Sequence, residues 1–191
     1  MLLWHLGVTS AIVLVTLGRR RIDYRIVLLG SILPDLIDKP LGRLFFTDRF
    51  ETSRLFGHTL AFDLALVLGI QLFLRGYRAR RWFVLPIASL LHLALDGMWS
   101  DPITLFWPLF GTSFPRMPID NYWLDVLLRP FQHPVEGLKE VVGLALLVYL
   151  AAAFELHRPG PRREFLRLGR LEGNRPSRRR EAGGEANEHG D

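Results

Sequence analysis

Seven residues with the chemistry to hold or serve a metal ion recur along this chain: His5, Asp35, Asp38, Arg54, His58, His92 and Asp96. In "HLALD", His92 and Asp96 stand four apart, so on a helix they stack on one face. An imidazole and a carboxylate at that spacing can share a metal, or simply hydrogen-bond to each other. "GSILPDLIDKP" carries Asp35 and Asp38 at i and i+3, which project from one face of a helical turn. They serve as ligands, or they are solvated acids at a capped helix end. Pro34 disfavours a helical Leu33 and predicts a bend there. "RLFGHT" puts Arg54 four residues before His58, with Gly57 permitting close approach. His5 taken alone is as readily a packing histidine as a ligand.

The chain has no cysteine, so disulfides and thiolate metal sites are excluded and any metal must be held by His, Asp or Glu. A set mixing imidazole nitrogen with carboxylate oxygen suits a divalent transition metal, Zn²⁺ first and Mn²⁺ second, better than Ca²⁺. Asp63 is either a helix-packing acid or a partner of His58. His133 and Glu136, flanking Pro134, are candidates for a second site; His157 and His189 suggest nothing. No G-x-S-x-G, P-loop or G-x-G-x-x-G stretch occurs, so neither a serine triad nor a nucleotide fold is indicated.

The elements that must position these residues are strongly apolar. Of 191 residues, 49% are hydrophobic. Five segments stand out: Leu2–Gly18, Ile22–Ile37, Thr59–Leu74, Trp82–Met98 and Leu138–Phe154. Each falls a little short of the roughly 20 residues that cross a bilayer core. A soluble bundle of buried helices is the rival, but these runs lack the polar face such helices carry. The expected fold is therefore all-α, a polytopic membrane helical bundle of about five segments occupying residues 1–157. Leu2–Gly18 has no basic leader and runs into three arginines, unlike a cleaved signal peptide. Ser100–Pro134, with "LFWPLFG", suits the membrane interface. Residues 158–191, with nine arginines and six acids, are expected to be a disordered tail.

If all five segments cross, 17 of the 24 Lys and Arg residues fall on one side. That side is the cytoplasm by the positive-inside rule. His5, Asp35, Asp38, His58, His92 and Asp96 then all come to the extracytoplasmic end. If segment 22–37 is re-entrant, the later orientations invert. The net charge of +5 lies in arginine clusters beside apolar runs, and no stacking aromatics interleave the basic tail. Nucleic acid is not an expected partner. The oligomeric state is not legible.

"HLGVT", "GSILPDLID", "GHT", "HLALD" and "LFWPLFG", in that order, resemble the YdjM-like inner-membrane proteins, a group regarded as LexA-regulated, membrane-bound metal-dependent hydrolases. The order His, Asp, His, His-x-x-x-Asp is also similar to that of the zinc phospholipase C and P1 nuclease superfamily. That likeness implies that Asp35, His58, His92 and Asp96 ligate one zinc, and that Asp96 bridges to another held partly by His5. It also implies phosphoester hydrolysis, with Asp38 orienting a water or acting as base and Arg54 neutralising a phosphate oxygen. Delivery through the bilayer would make the substrate a membrane lipid or lipid-linked molecule. The alternative, of another class, is a non-catalytic membrane protein whose cluster holds a structural metal or conducts ions.

Overall fold

The computed structural model describes residues 1–18, 22–116, 124, 128 and 131–171. Every regular element among them is helical. The first is α1 (Leu2–Leu17), followed by α2 (Tyr24–Gly30) and α3 (Leu33–Pro40). A π-helical turn (Leu41–Phe45) and the short α4 (Thr47–Phe50) come next. A 3₁₀ turn (Phe56–His58) leads into α5 (Leu60–Phe73), whose N-cap Thr59 accepts from the Phe62 amide at 3.0 Å. Then follow α6 (Gly76–Trp82), α7 (Val84–Leu95), a 3₁₀ turn (Met98–Ser100) and α8 (Pro102–Leu105). The last two are α9 (Pro134–Ala153) and α10 (Pro159–Leu168).

The core lies between α1, α2, α7 and α9, where Val13, Tyr24, Val27, Leu85, Ala88 and Leu150 pack together. The closest helix pair is α1 with α9. Their backbones meet where Gly7 faces Gly143, and a Cβ on either residue would strike the other helix's main chain. This approach sets where α1, and with it His5, sits.

Three expectations change. The 22–37 segment is not one helix: it breaks at Ser31–Ile32. Pro34 then occupies the first turn of α3, where its missing N–H costs nothing. The five-crossing arrangement is not carried: no helix among the described residues is long and apolar enough to cross a membrane. The 14 residues of α5, for instance, rise about 21 Å against a hydrocarbon core of about 30 Å. Finally, the tail does not begin at residue 158. Helix α10 ends on Gly169 in the left-handed conformation (φ 69°), whose carbonyl accepts from the Tyr24 amide at 2.7 Å. Arg25 donates to the Leu166 carbonyl at 2.7 Å, and Leu171 is buried in the core. Phe165 and Leu171 supply the apolar contacts with the core that the arginines around them obscured. Residues 172–191 lie outside the described residues.

Candidate metal centre

Asp38 organises the site. It is fully buried, and its carboxylate accepts four hydrogen bonds. Three come from main-chain amides, those of Leu55 (2.6 Å), Gly57 (2.8 Å) and His58 (3.1 Å), and the fourth from His58 Nδ1 (2.7 Å). One side chain of α3 thus gathers the loop before α5 and turns the His58 ring. Gly57 is required here because a Cβ would press on Pro34 and Asp38.

The other two histidines are anchored in the same way. His92 Nδ1 donates to the Ser31 carbonyl at 2.7 Å, and His5 Nδ1 donates to the Met1 carbonyl. A carbonyl oxygen only accepts, so Nδ1 carries the proton and, in the neutral ring, Nε2 presents a bare lone pair. The break between α2 and α3 has a role: it presents the Ser31 carbonyl to His92. All three rings are buried, and their Nε2 atoms face the Asp35 and Asp96 carboxylates.

The three nitrogens converge on two carboxylates. His58 Nε2 lies 3.7 Å from Asp35 Oδ1 and 3.5 Å from Asp96 Oδ2. His92 Nε2 lies 3.9 Å from each of the same two oxygens. His5 Nε2 lies 3.0 Å from Asp96 Oδ1, and its ring stacks on His92 at 4.0 Å. Lone pairs facing carboxylate oxygens in a buried site repel unless a proton or a cation lies between them. A tetrahedral Zn²⁺ with bonds near ~2.1 Å sets its ligands ~3.4 Å apart. The His58 and His92 spacings to Asp35 and Asp96 exceed that by 0.5 Å or less and the His5–Asp96 spacing of 3.0 Å falls a little below it, so the donors fit such an ion with little movement. Two ligand groups can form: Asp35, His58 and His92, and His5, His92 and Asp96.

The charges around the cluster are arranged to the same end. Lys39 holds Asp35 Oδ2 at 2.6 Å, leaving Oδ1 for the histidines. Arg54 sits half-buried at the rim, 3.7 Å from Asp96 Oδ2. His58 precedes α5 and titrates unusually. Burial by itself would lower its pKa, but hydrogen bonding to Asp38 and Asp96 and the charges of Asp38 and Asp35 raise it to about 9. The metal-free cluster therefore keeps a proton where a cation would go.

The structure brings His5, Asp35, Asp38, Arg54, His58, His92 and Asp96 together from α1, α3, the loop and 3₁₀ turn before α5, and the C-terminal end of α7. His133 and Glu136, at the start of α9, take no part in either ligand group. Asp63 is buried on α5 one turn from the cluster. Sequence inspection missed Lys39, Ser31 and Glu140. The Asp35–Lys39 spacing of four is a signal that was available. Ser31 acts through its carbonyl, which leaves no trace in residue type. Glu140 accepts from the Leu3 amide at 2.8 Å and so caps the otherwise uncapped start of α1.

Fold and site together define an all-α protein with a buried cluster of three imidazoles and three carboxylates of metal-binding type. The chain matches the YdjM inner membrane protein family over residues 1–158, and it belongs to that family. No match is found among curated proteins or among solved structures. The wider likeness to zinc phospholipase C has no counterpart in these comparisons.

Proposed function

We propose that the protein is a metal-dependent phosphoester hydrolase of the inner membrane, acting on a lipid or lipid-linked substrate. The observation that carries this reading is the set of three buried Nε2 atoms that converge on Asp35 and Asp96. The ligands are His58, His92, Asp35 and Asp96, with Asp96 also facing His5; Zn²⁺ is the expected metal and Mn²⁺ the second choice. A divalent metal held there supplies an acidified water, its pKa brought from about 15.7 to about 7, and a Lewis acid for the phosphoryl oxygen.

The chain's own residues supply the rest. Asp38 and the Ser31 carbonyl fix two rings with Nε2 inward, as buried second partners of metal-bound histidines do. With its acceptor capacity taken up and no exposure, Asp38 is a positioning residue rather than a base. Arg54 stands at the rim with its guanidinium available to a phosphate oxygen. Asp35 and Asp96 retain 16% and 13% side-chain exposure, so the cluster opens toward substrate.

A lipid substrate is favoured by what surrounds that opening. The Phe56 ring, two residues before His58, packs edge-on against Trp107 at 5.2 Å and Phe114 at 5.0 Å. Trp99, three residues after Asp96, is 70% exposed. Helix α5 turns Leu60, Leu64, Leu68 and Leu72 outward, one turn after another. A water-facing helix carries charge there, and a lipid-facing one does not. The arginine clusters beside the apolar runs favour a site at the extracytoplasmic face.

The test uses purified protein, stripped with chelator and reloaded with Zn²⁺ or Mn²⁺, on mixed micelles of phosphatidic acid, phosphatidylglycerol and detergent. Metal-dependent release of phosphate or headgroup, lost in His58→Ala and Asp96→Ala, supports the reading. Tight metal binding through four protein ligands with no hydrolysis of any phosphoester would leave the site structural.

A further inference from the structure

Asp23, the N-cap of α2, is buried and holds two arginines at once. Arg25 donates to both of its oxygens, at 3.0 and 2.9 Å. Arg81 donates to Oδ2 through Nε at 2.8 Å and again through a terminal nitrogen. Each guanidinium carries five N–H donors, and two carboxylate oxygens cannot take them all. One negative charge against two positive ones also leaves a positive charge over. The Arg25 and Arg81 side chains remain 34% and 36% exposed, so that surplus faces outward.

The cluster joins three elements. Asp23 and Arg25 open α2, and Arg81 lies in the last turn of α6. Helix α10 closes on both acid and base. Arg25 donates to the Leu166 carbonyl at 2.7 Å, and a Cβ on Gly169 would strike the Asp23 carboxylate. The cluster stands at the start of α7, whereas His92 and the metal centre stand at its end. The 12 residues of α7 set the two about 18 Å apart.

The surface around the cluster is basic. Residues 23–25, 75–82 and 155–171 hold ten arginines and three acids. Asp23 is engaged as above, and Glu155 pairs with Arg158 at 2.9 Å. Arg162, Arg163 and Arg167 of α10 are exposed. On the same helix Leu166 is 61% exposed and Leu168 is exposed too, while Phe165 packs against the core. Basic and apolar side chains mixed on one surface suit the boundary between anionic headgroups and acyl chains. Nucleic acid would match the charge but leave the leucines in water.

We propose that this surface, at the end of the bundle opposite the metal centre, binds anionic phospholipid. The surplus donors of Arg25 and Arg81 take the headgroup phosphate. The arginines of α10 meet neighbouring headgroups, and Leu166 and Leu168 enter the acyl region. The contact does not depend on what the metal centre does.

The experiment is thermal unfolding of the full chain, stripped with chelator, in neutral detergent titrated with phosphatidylglycerol or phosphatidylcholine. The expected result is a saturable rise in Tm of roughly 5 °C with phosphatidylglycerol and none with phosphatidylcholine. High salt shrinks the rise. Arg162→Gln, Arg163→Gln and Arg167→Gln combined remove most of it, Arg81→Gln weakens it, and Leu166→Ser shifts it to higher lipid. Where Arg81→Gln does not fold, because Asp23 has lost a partner, the α10 variants decide. Equal Tm values in the two lipids overturn the proposal. So does a combined α10 variant that keeps the full response. Glycerol phosphate or DNA raising Tm as far as phosphatidylglycerol would mark a general anion site and overturn the lipid assignment. Stripped protein cannot hydrolyse the lipid and the variants lie a helix length from the metal centre, so failure here is distinct from failure of the hydrolase reading.

Discussion

Asp38→Asn is the substitution that separates positioning from catalysis in this site. The native carboxylate receives four donors at 2.6 to 3.1 Å with no exposure to solvent. An amide offers one accepting oxygen and brings an NH₂ group up against N–H donors. At least one amide, and either the His58 ring or its backbone, loses its acceptor. Removing one partner from a buried charged arrangement costs about 3–5 kcal/mol. For a chain of this size that lowers Tm by roughly 10 °C. The freed His58 ring also loses its fixed orientation, for which metal affinity is expected to fall about 10- to 100-fold. Calorimetry gives the first quantity and competition with a chromogenic chelator the second. Asp35→Asn is the contrast: it removes a ligand oxygen but no backbone anchor, so it should lose metal with a much smaller change in Tm. If Asp38→Asn keeps wild-type stability and metal affinity but loses hydrolysis, Asp38 is a base and the positioning argument fails.

His92→Ala and Asp96→Ala should each strip metal from protein that remains in the membrane fraction; full metal content by elemental analysis in both would refute shared ligation. The His58 pKa fixes the sign of two pH effects. Its folded value near 9 exceeds the ordinary 6.5, so it stabilises metal-free protein below pH 6.5 and ceases to do so as pH rises through about 9. Metal must displace that proton, so affinity should rise with pH over the same window, with proton release on binding detectable in weakly buffered solution; pH-independent affinity would contradict the assignment. Glu140→Ala removes the cap from the start of α1 and should cost about 1 kcal/mol together with weakened retention of metal at the His5 end, whereas Glu140→Gln should restore much of both. Single cysteines test orientation: Ser113→Cys should react with a membrane-impermeant thiol reagent in intact cells and Gly183→Cys only after lysis, and the opposite pattern would move the site to the cytoplasmic leaflet.

Residue type and order determined a good deal by themselves. Apolar runs gave helices at α1, α5, α7 and α9, because a continuous run of Leu, Ile, Val and Ala admits little else at that length. The absence of cysteine confined any metal to His and carboxylate ligands. The i, i+4 spacing in "HLALD" put His92 and Asp96 on one side of α7. Tertiary structure decided the rest. Which nitrogen of each imidazole is bare depends, for His5, on the Met1 carbonyl one turn back and, for His92 and His58, on the Ser31 carbonyl and Asp38, acceptors brought in from other parts of the fold. Whether Asp38 meets solvent or three amides depends on the loop at Leu55–His58 folding over α3. The C-terminal helix hid behind its arginines until Gly169 and Leu171 found α2 and the core. Turns at Ser31–Ile32, Phe83 and Gly97 shorten the runs 22–37 and 82–98 that composition alone joins. A sequence records which groups are present; the distances that turn them into a site arise only when separate helices are packed against one another.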